Sequence, residues 1–151
     1  MFPGLHVKNR GIGGNRTKHI LGRLREIVQM HPRKLFLEAG VNDIWDHASL
    51  DTLKANYKKI VAEIRTTSPQ TTLYVQSVFP VGDPFNELGP QVDSFNIWLA
   101  AYCNEGKIRY LNIFPLLANK GYLDSTLTYD GLHLTDKGYE IWKKAIDSLV
   151  N

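Results

Sequence analysis

The stretch KLFLEAGVND, residues 34–43, decides the fold. The apolar run LFL at residues 35–37 is typical of a buried strand. The turn GVND, residues 40–43, follows it almost at once and contains the glycine and the Asn-Asp pair that end strands. The stretch therefore predicts a buried strand that leads directly into a polar turn.

Outward from this stretch, strand and helix patterns alternate along the chain. Helices are predicted where apolar residues recur at spacings of three and four, and strands where short apolar runs stand between turn residues. The predicted elements are a strand at 5–9, a helix that Thr17 caps and that ends near Met30, a strand at 34–39, a helix that Asp51 caps and that Pro69 stops, a strand at 71–78, a helix at 91–104, a strand at 108–113, a mostly irregular loop at 119–132 and a last helix that Thr135 caps. This order predicts an α/β fold of three layers, with a parallel sheet between two layers of helices.

Composition sets the broad class of protein. The 151 residues are 43% hydrophobic and 22% charged, with a net charge of +3, which is ordinary for one globular domain and excludes a fibre or a disordered chain. We therefore expect a single domain over residues 1–151. No apolar run approaches the roughly 20 residues of a membrane span, and the scattered Lys and Arg do not indicate nucleic-acid binding. The single Cys103 excludes an internal disulfide, and no spacing indicates a metal site.

Parallel α/β sheets bind ligands beyond the carboxyl ends of their strands, where this chain places polar and glycine-rich turns. The turn DGLH, residues 130–133, is the first candidate. Asp130 can accept the imidazole Nδ1–H of His133, which fixes the tautomer and leaves Nε2 as a general base. The alternative is a surface loop whose side chains only bond locally. Trp45, after another of these turns, either lines the crevice or packs in the core.

Two further turns contain candidate donors for an oxyanion. The side-chain amide of Asn42 can point into the crevice, and Asp43 can hold the loop by accepting backbone N–H groups; the alternative is that the pair only starts a turn. In the stretch RGIGGNRT, residues 10–17, the backbone N–H of Gly14 is a second candidate. The stretch does not fit a dinucleotide site, because Arg16 stands where the third glycine is needed, nor does it have the ending of a phosphate loop.

Together and in this order, the motifs resemble those of the SGNH (GDSL-type) hydrolases, a superfamily of serine esterases and acylhydrolases. The stretch around Gly14 is similar to the second block of that family, GVND to its third block and DGLH to its fifth. The resemblance covers the whole chain and is strongest to the platelet-activating-factor acetylhydrolase and bacterial carbohydrate-esterase branches. It implies a flavodoxin-like sheet of order 2-1-3-4-5, oxyanion donors at Gly14 and Asn42, and triad members at Asp130 and His133.

The first block of the family, a Gly-Asp-Ser turn with the nucleophile, is absent from this chain. None of the six serines stands in such a turn; they are Ser49, Ser68, Ser77, Ser94, Ser125 and Ser148. We therefore expect an N-terminally truncated domain without its first strand. In the family's sheet, that strand lies between those at 5–9 and 34–39. Its absence would leave these two strands about 9–10 Å apart, unless the sheet closes differently or a second chain supplies a strand.

The first hypothesis is an ester hydrolase with a Ser-His-Asp mechanism, whose serine lies outside this chain, so that the 151 residues alone are inactive. The alternative is a non-catalytic module that binds an acyl group or a carbohydrate. A flavodoxin-like nucleotide binder is disfavoured, because there is no phosphate loop. The expected partner is a small acyl ester, either a lipid or an O-acetylated carbohydrate, and the fold allows a homo-oligomer. No cofactor is implied. The first four residues do not form a signal peptide, and the compartment stays open because a signal peptide would precede the missing strand.

Overall fold

Strands and helices alternate from residue 17 onward in the computed structural model, which describes residues 4–150. The elements in chain order are α1 (Thr17–Val28), β1 (Lys34–Leu37), α2 (Val41–Trp45), α3 (Leu50–Thr67), β2 (Thr72–Gln76), a 3-10 turn (Asn86–Leu88), α4 (Gly89–Glu105), β3 (Arg109–Leu111), α5 (Phe114–Leu117), β4 (Ala118–Asn119), β5 (Tyr122–Leu123) and α6 (Asp136–Val150).

The main sheet has three parallel strands in the order β1-β2-β3. Leu35 of β1 pairs with Leu73 of β2, and Val75 of β2 pairs with Tyr110 of β3. Helices α1, α3 and α4 build an apolar cluster on one face of the sheet, while α5 and α6 build a second cluster on the other. The predicted three-layer α/β fold is confirmed.

Helix α3 packs its apolar side against the sheet, as its sequence pattern predicts. Its buried side chains recur at spacings of three and four residues: Leu53, Tyr57, Ile60, Val61 and Ile64. Burying each one stabilises the fold by roughly 1.5–3 kcal/mol. Tyr57 also donates its hydroxyl to the backbone carbonyl of Ala39 at 2.7 Å, which fixes the end of β1 against the helix. Ser49, and not the predicted Asp51, caps this helix.

The predicted strand at residues 5–9 is wrong. These residues pair with no strand in the described part of the chain, and their side chains are exposed. A strand forms its hydrogen bonds with a neighbour, so a segment beside which no strand lies stays irregular. The expected gap inside the sheet is therefore absent too, and within residues 4–150 β1 is an edge strand that pairs only with β2.

Three local predictions also need correction. Thr17, predicted as a helix cap, is the first residue of α1, and Arg16 stands at the cap position. The predicted turn GVND forms the beginning of the short helix α2, because the chain turns helical directly after Gly40. The loop at 119–132 begins within a small antiparallel hairpin of β4 and β5.

Glu38 directly follows β1 and is the one carboxyl group at the end of this strand. The register that pairs Leu37 with Val75 brings Glu38 towards Gln76, whose side-chain carbonyl accepts the indole N–H of Trp142 at 2.6 Å. Burial raises the pKa of Glu38 from 4.5 to about 7. The fold therefore favours the protonated, uncharged form of this side chain.

We expect this partly buried carboxyl to make stability depend on pH. Because the pKa of Glu38 is raised in the folded state, stability is full below about pH 4.5 and falls as the pH rises towards about 7. Replacing Glu38→Gln should remove this loss, so that the stability of the variant relative to the parent rises by about 3 kcal/mol between pH 4 and pH 8. Urea unfolding at both pH values measures the difference, with the exposed Glu140→Gln as control. Parallel pH profiles for parent and Glu38→Gln would contradict the prediction.

Candidate active site

Asp130 and His133 form a hydrogen-bonded pair in the loop before α6. Asp130 Oδ2 lies 2.8 Å from Nδ1 of His133. The other oxygen, Oδ1, accepts the backbone N–H groups of His133 at 2.8 Å and of Leu132 at 3.0 Å. These bonds, first of all the one from the His133 side chain, lower the pKa of Asp130 from 3.8 to about 2. A carboxylate at Nδ1 places the proton there, so Nε2 of the neutral ring is a free base.

Bonds within the same loop fix the position of this pair. The Thr128 hydroxyl donates to the backbone carbonyl of His133 at 2.7 Å and accepts the N–H of Gly131 at 2.9 Å. The His133 side chain is 73% exposed. The ring is therefore held by its own loop from behind, while its other side is open to a ligand.

Gly131 connects this loop to the loop that follows β2. Its carbonyl accepts the N–H of Gly82 at 2.7 Å, and its φ is +87°. A Cβ at Gly131 would stand 2.1 Å from the carbonyl oxygen of Asp83, which no side chain tolerates. Glycine is thus needed both for the backbone conformation and for the close approach of the two loops.

Asn42 is the second residue of α2, at the carboxyl end of β1. Its Nδ2 donates to the backbone carbonyl of Asn15 at 3.1 Å, which leaves a second N–H of the amide for a ligand. The preceding Gly40 has a φ of +135°, and a Cβ there would come 3.1 Å from the side chain of Val78. This bend after β1 directs α2, and Asn42 with it, towards the loop of residues 10–16.

Gly14 lies in that loop, next to the residue that Asn42 holds. It is exposed, with a φ of +73°, and a Cβ there would meet nothing within 4 Å. An ion pair between Arg16 and Asp46 joins the same loop to the end of α2. The structure therefore brings the two predicted oxyanion donors, Gly14 and Asn42, into neighbouring segments at one edge of the sheet.

Asp43 is buried, and both of its oxygens bond to Thr17, the first residue of α1. Oδ2 accepts the backbone N–H of Thr17 at 2.9 Å, and Oδ1 accepts its hydroxyl at 2.5 Å. A carboxylate at the N-terminus of a helix also interacts favourably with the helix dipole. Asp43 thus contacts a backbone N–H, as the sequence predicts, but that N–H belongs to α1 and not to its own turn.

An aromatic contact links α2 to the loop after β2. The rings of Trp45 and Phe85 lie 4.6 Å apart between centroids, and Trp45 remains 47% exposed. Phe85 donates its N–H to the carbonyl of Gly82, the residue that bonds to Gly131. Contacts therefore run from the helix of Asn42 to the loop of His133. Sequence reasoning missed Gly82 and Phe85, because only the fold brings these distant residues together.

The serines in the described residues have other roles. Ser77, at the end of β2, is buried, and its Oγ accepts the backbone N–H groups of Ile113 and Phe114 at 3.0 and 2.9 Å. Ser125 lies exposed in a turn after β5. Within residues 4–150, no serine hydroxyl is hydrogen-bonded to Nε2 of His133. The pair of Asp130 and His133 thus has no nucleophile bonded to it in this part of the chain.

The same described residues form neither a metal-binding cluster nor a membrane-spanning helix. Between residues 4 and 150, the side chains of His, Cys, Asp and Glu form no group of three that would suit a metal ion. None of the helices described has both the length and the apolar character needed to cross a membrane.

Comparison with known proteins gives a consistent result. The family model of the GDSL-like lipases and acylhydrolases matches residues 2–141. The human platelet-activating factor acetylhydrolase IB subunit alpha1 is 29% identical over 156 residues, which cover 99% of this chain and 66% of that protein. A GDSL-like lipase of Bacteroides thetaiotaomicron superimposes with a TM-score of 0.82 at 26% identity, covering 93% of this chain and 73% of that one. The acetylxylan esterase Axe2 of Geobacillus stearothermophilus superimposes with a TM-score of 0.79 at 17% identity, covering 95% of this chain and 71% of that one.

Adding a methyl group at Gly131 should separate the two loops. We expect Gly131→Ala to destabilise the protein by about 1–3 kcal/mol, because the clash with Asp83 adds to the cost of a positive φ. Gly121→Ala is a matched control, since Gly121 has the same φ of +87° but open space around a Cβ. Thermal unfolding of both variants separates clash from backbone strain. Equal losses of stability would contradict a specific contact between the loops.

The acid titration of Asp130 tests the hydrogen bonds to its carboxylate. The depressed pKa means that their contribution is full above about pH 3.8 and is lost as the pH falls through about 2. In His133→Ala the midpoint should rise towards 3.8, while that of Asp124, which bonds to Thr126, should stay unchanged. Carboxyl ¹³C shifts recorded against pH measure both midpoints. A parent midpoint close to 3.8 would mean that the pair does not form in solution.

Proposed function

Because the chain belongs to the GDSL-like lipase/acylhydrolase family, we propose that it forms the larger part of a serine ester hydrolase whose nucleophile comes from outside these 151 residues. The observation that carries the proposal is the pair of Asp130 and His133, in which Nδ1 is bound to a carboxylate and Nε2 is open. A general base with this orientation is what an attacking hydroxyl needs.

In the proposed reaction, the serine Oγ attacks the acyl carbonyl while Nε2 of His133 takes the hydroxyl proton. The tetrahedral intermediate collapses, its bond to the alcohol breaks, and His133 returns the proton to the leaving alkoxide. Water then attacks the acyl-enzyme by the same route and releases the acid and the free serine. Asp130 stabilises the imidazolium that exists during both steps.

The negative charge of the intermediate needs hydrogen-bond donors. We assign this role to the backbone N–H of Gly14 and the side-chain amide of Asn42, which lie in neighbouring segments. Removing one such donor typically costs about 2.7–4 kcal/mol of the activation barrier. Asp43 supports the site indirectly, through its two bonds to Thr17.

The unpaired side of β1 offers a position for a further parallel strand, and that strand could carry the missing serine. A strand that paired there would lie about 4.8 Å from β1, and its carboxyl end would meet the same edge of the sheet as Asn42. The chain spans 66% of the length of the human relative, so that relative contains further polypeptide. We propose that a segment outside residues 1–151 adds this strand and carries the serine on the turn after it. Residues 1–151 would then be a single truncated domain.

Names of relatives indicate the class of ester. The human relative is a subunit of a platelet-activating factor acetylhydrolase, and one structural neighbour is an acetylxylan esterase. Both names describe the removal of acetyl groups. We propose a small acyl ester, on a lipid or on a carbohydrate, as the substrate. The second candidate function, a non-catalytic binding module of the same fold, is favoured by the lack of a serine beside His133 within residues 4–150.

A covalent probe distinguishes these functions. A fluorophosphonate reacts with activated serines, so we expect it to leave the 151-residue chain unlabelled and to label the protein purified from its source stoichiometrically. In that protein, His133→Ala should lower ester hydrolysis by roughly 10⁴–10⁶-fold, while His6→Ala, in the irregular segment before α1, should leave it unchanged.

Stoichiometric labelling of the 151-residue chain alone would place the nucleophile within it and refute this part of the proposal. If the protein from its source is neither labelled nor able to cleave an aryl acetate, the binding module is the better description.

A further inference from the structure

Three side chains from three helices form a polar network next to the loop of Gly14, with Thr17 between Asp43 and Asn56. Thr17 Oγ1 donates to Asp43 Oδ1 at 2.5 Å, and it accepts Nδ2 of Asn56 at 2.9 Å. A carboxylate can only accept and the amide nitrogen can only donate, so the direction of both bonds is determined. The Thr17 hydroxyl is therefore used once as donor and once as acceptor.

Burial makes this network strong and specific. Thr17 is fully buried, Asp43 is 3% exposed and Asn56 is partly buried. Hydrogen bonds away from water are electrostatically stronger, and an unpaired partner there is costly. The three groups are thus held to one arrangement.

Two members of the network stand beside parts of the proposed oxyanion site. Thr17 lies three residues after Gly14, and Asp43 follows Asn42 directly. Asn56 is on α3, the 18-residue helix whose apolar side packs against the sheet. The network therefore connects the two donor segments to each other and to α3.

We propose that Thr17 and Asn56 are positioning residues, which set the distance between the backbone N–H of Gly14 and the side-chain amide of Asn42. This inference rests on the proposed function, because it takes these two groups as the oxyanion donors. Such donors must stand 2.7–3.1 Å from the developing charge, and a displacement of about 0.5 Å already impairs a site. The loop of Gly14 has exposed residues 11–14, so its position depends on how its end is anchored.

A displacement of this anchor would change the hydrogen bond that the side-chain amide of Asn42 makes. Its Nδ2 bonds to the carbonyl of Asn15, two residues before Thr17. If the start of α1 moves relative to α2, this bond lengthens or breaks. A role of Thr17 that concerned only helix packing would lower stability without altering the Asn42 amide.

Nuclear magnetic resonance of the 151-residue chain tests the proposal. The signals to follow are the side-chain NH₂ of Asn42 and the backbone N–H of Gly14. In Thr17→Val, which keeps the shape and removes the hydroxyl, we expect both signals to shift. Thr17→Ser should restore the parent signals, because it returns the hydroxyl.

Two further variants keep the test decisive. Asn56→Leu removes the donor to Thr17 without touching Asp43, and it should shift the same two signals even where Thr17→Val does not fold. Thr66→Val is the matched control, since the Thr66 hydroxyl bonds only within α3, to the carbonyl of Ala62. Unchanged Gly14 and Asn42 signals in folded Thr17→Val or Asn56→Leu, with only a lower melting temperature, would overturn the proposal.

Kinetics separate this proposal from the function on which it rests. In the protein that carries the serine, Asn56→Leu should lower kcat for an aryl acetate about tenfold and leave KM within twofold, because the donors act on the transition state. An unchanged kcat together with shifted signals would overturn the positioning role. A parent protein that cleaves no ester while the signals shift as expected would refute the proposed function and leave the coupling between Thr17 and the Asn42 amide established.

Discussion

The buried carboxylate of Asp43 constrains the whole carboxyl edge of the sheet. An ionised group away from water must be paired, and the groups that pair with it are the N–H and the hydroxyl of Thr17. The first turn of α1 therefore has to begin beside α2, whatever the residues before it do. The loop of residues 10–16 is irregular and largely exposed, yet the side chain of Asp43 anchors Thr17, the residue that directly follows it.

A second constraint operates at the other half of the site. Gly131 lies so close to the backbone of Gly82 and Asp83 that no side chain fits at this position. The contact of Trp45 with Phe85 then relates this half to α2. The site is thus held by a backbone contact between two loops together with a side-chain contact between α2 and one of them.

Much of the fold and of the candidate site could be predicted from the sequence, because the patterns that indicate them are local. The apolar spacing of α3 and the run at residues 35–37 follow directly from burial, and the pair of Asp130 and His133 closes within a single turn. By contrast, the strand predicted at residues 5–9 depends on a neighbour, and its alternating pattern says nothing about whether that neighbour exists. Asn56 and Phe85 could not be found, because their roles arise from contacts between segments 39 and 40 residues apart.

The exposed His133 ring has a consequence for how such a site is assembled. Its bonds to Asp130, and those of both residues to Thr128, all lie within the short span of residues 128–133. Short loops close quickly and with little loss of entropy. The pair of Asp130 and His133 can therefore form before a further strand joins the open side of β1. In the proposed hydrolase, this pair is thus prepared in advance, and the arrival of the serine hydroxyl beside Nε2 is the step that would start the reaction.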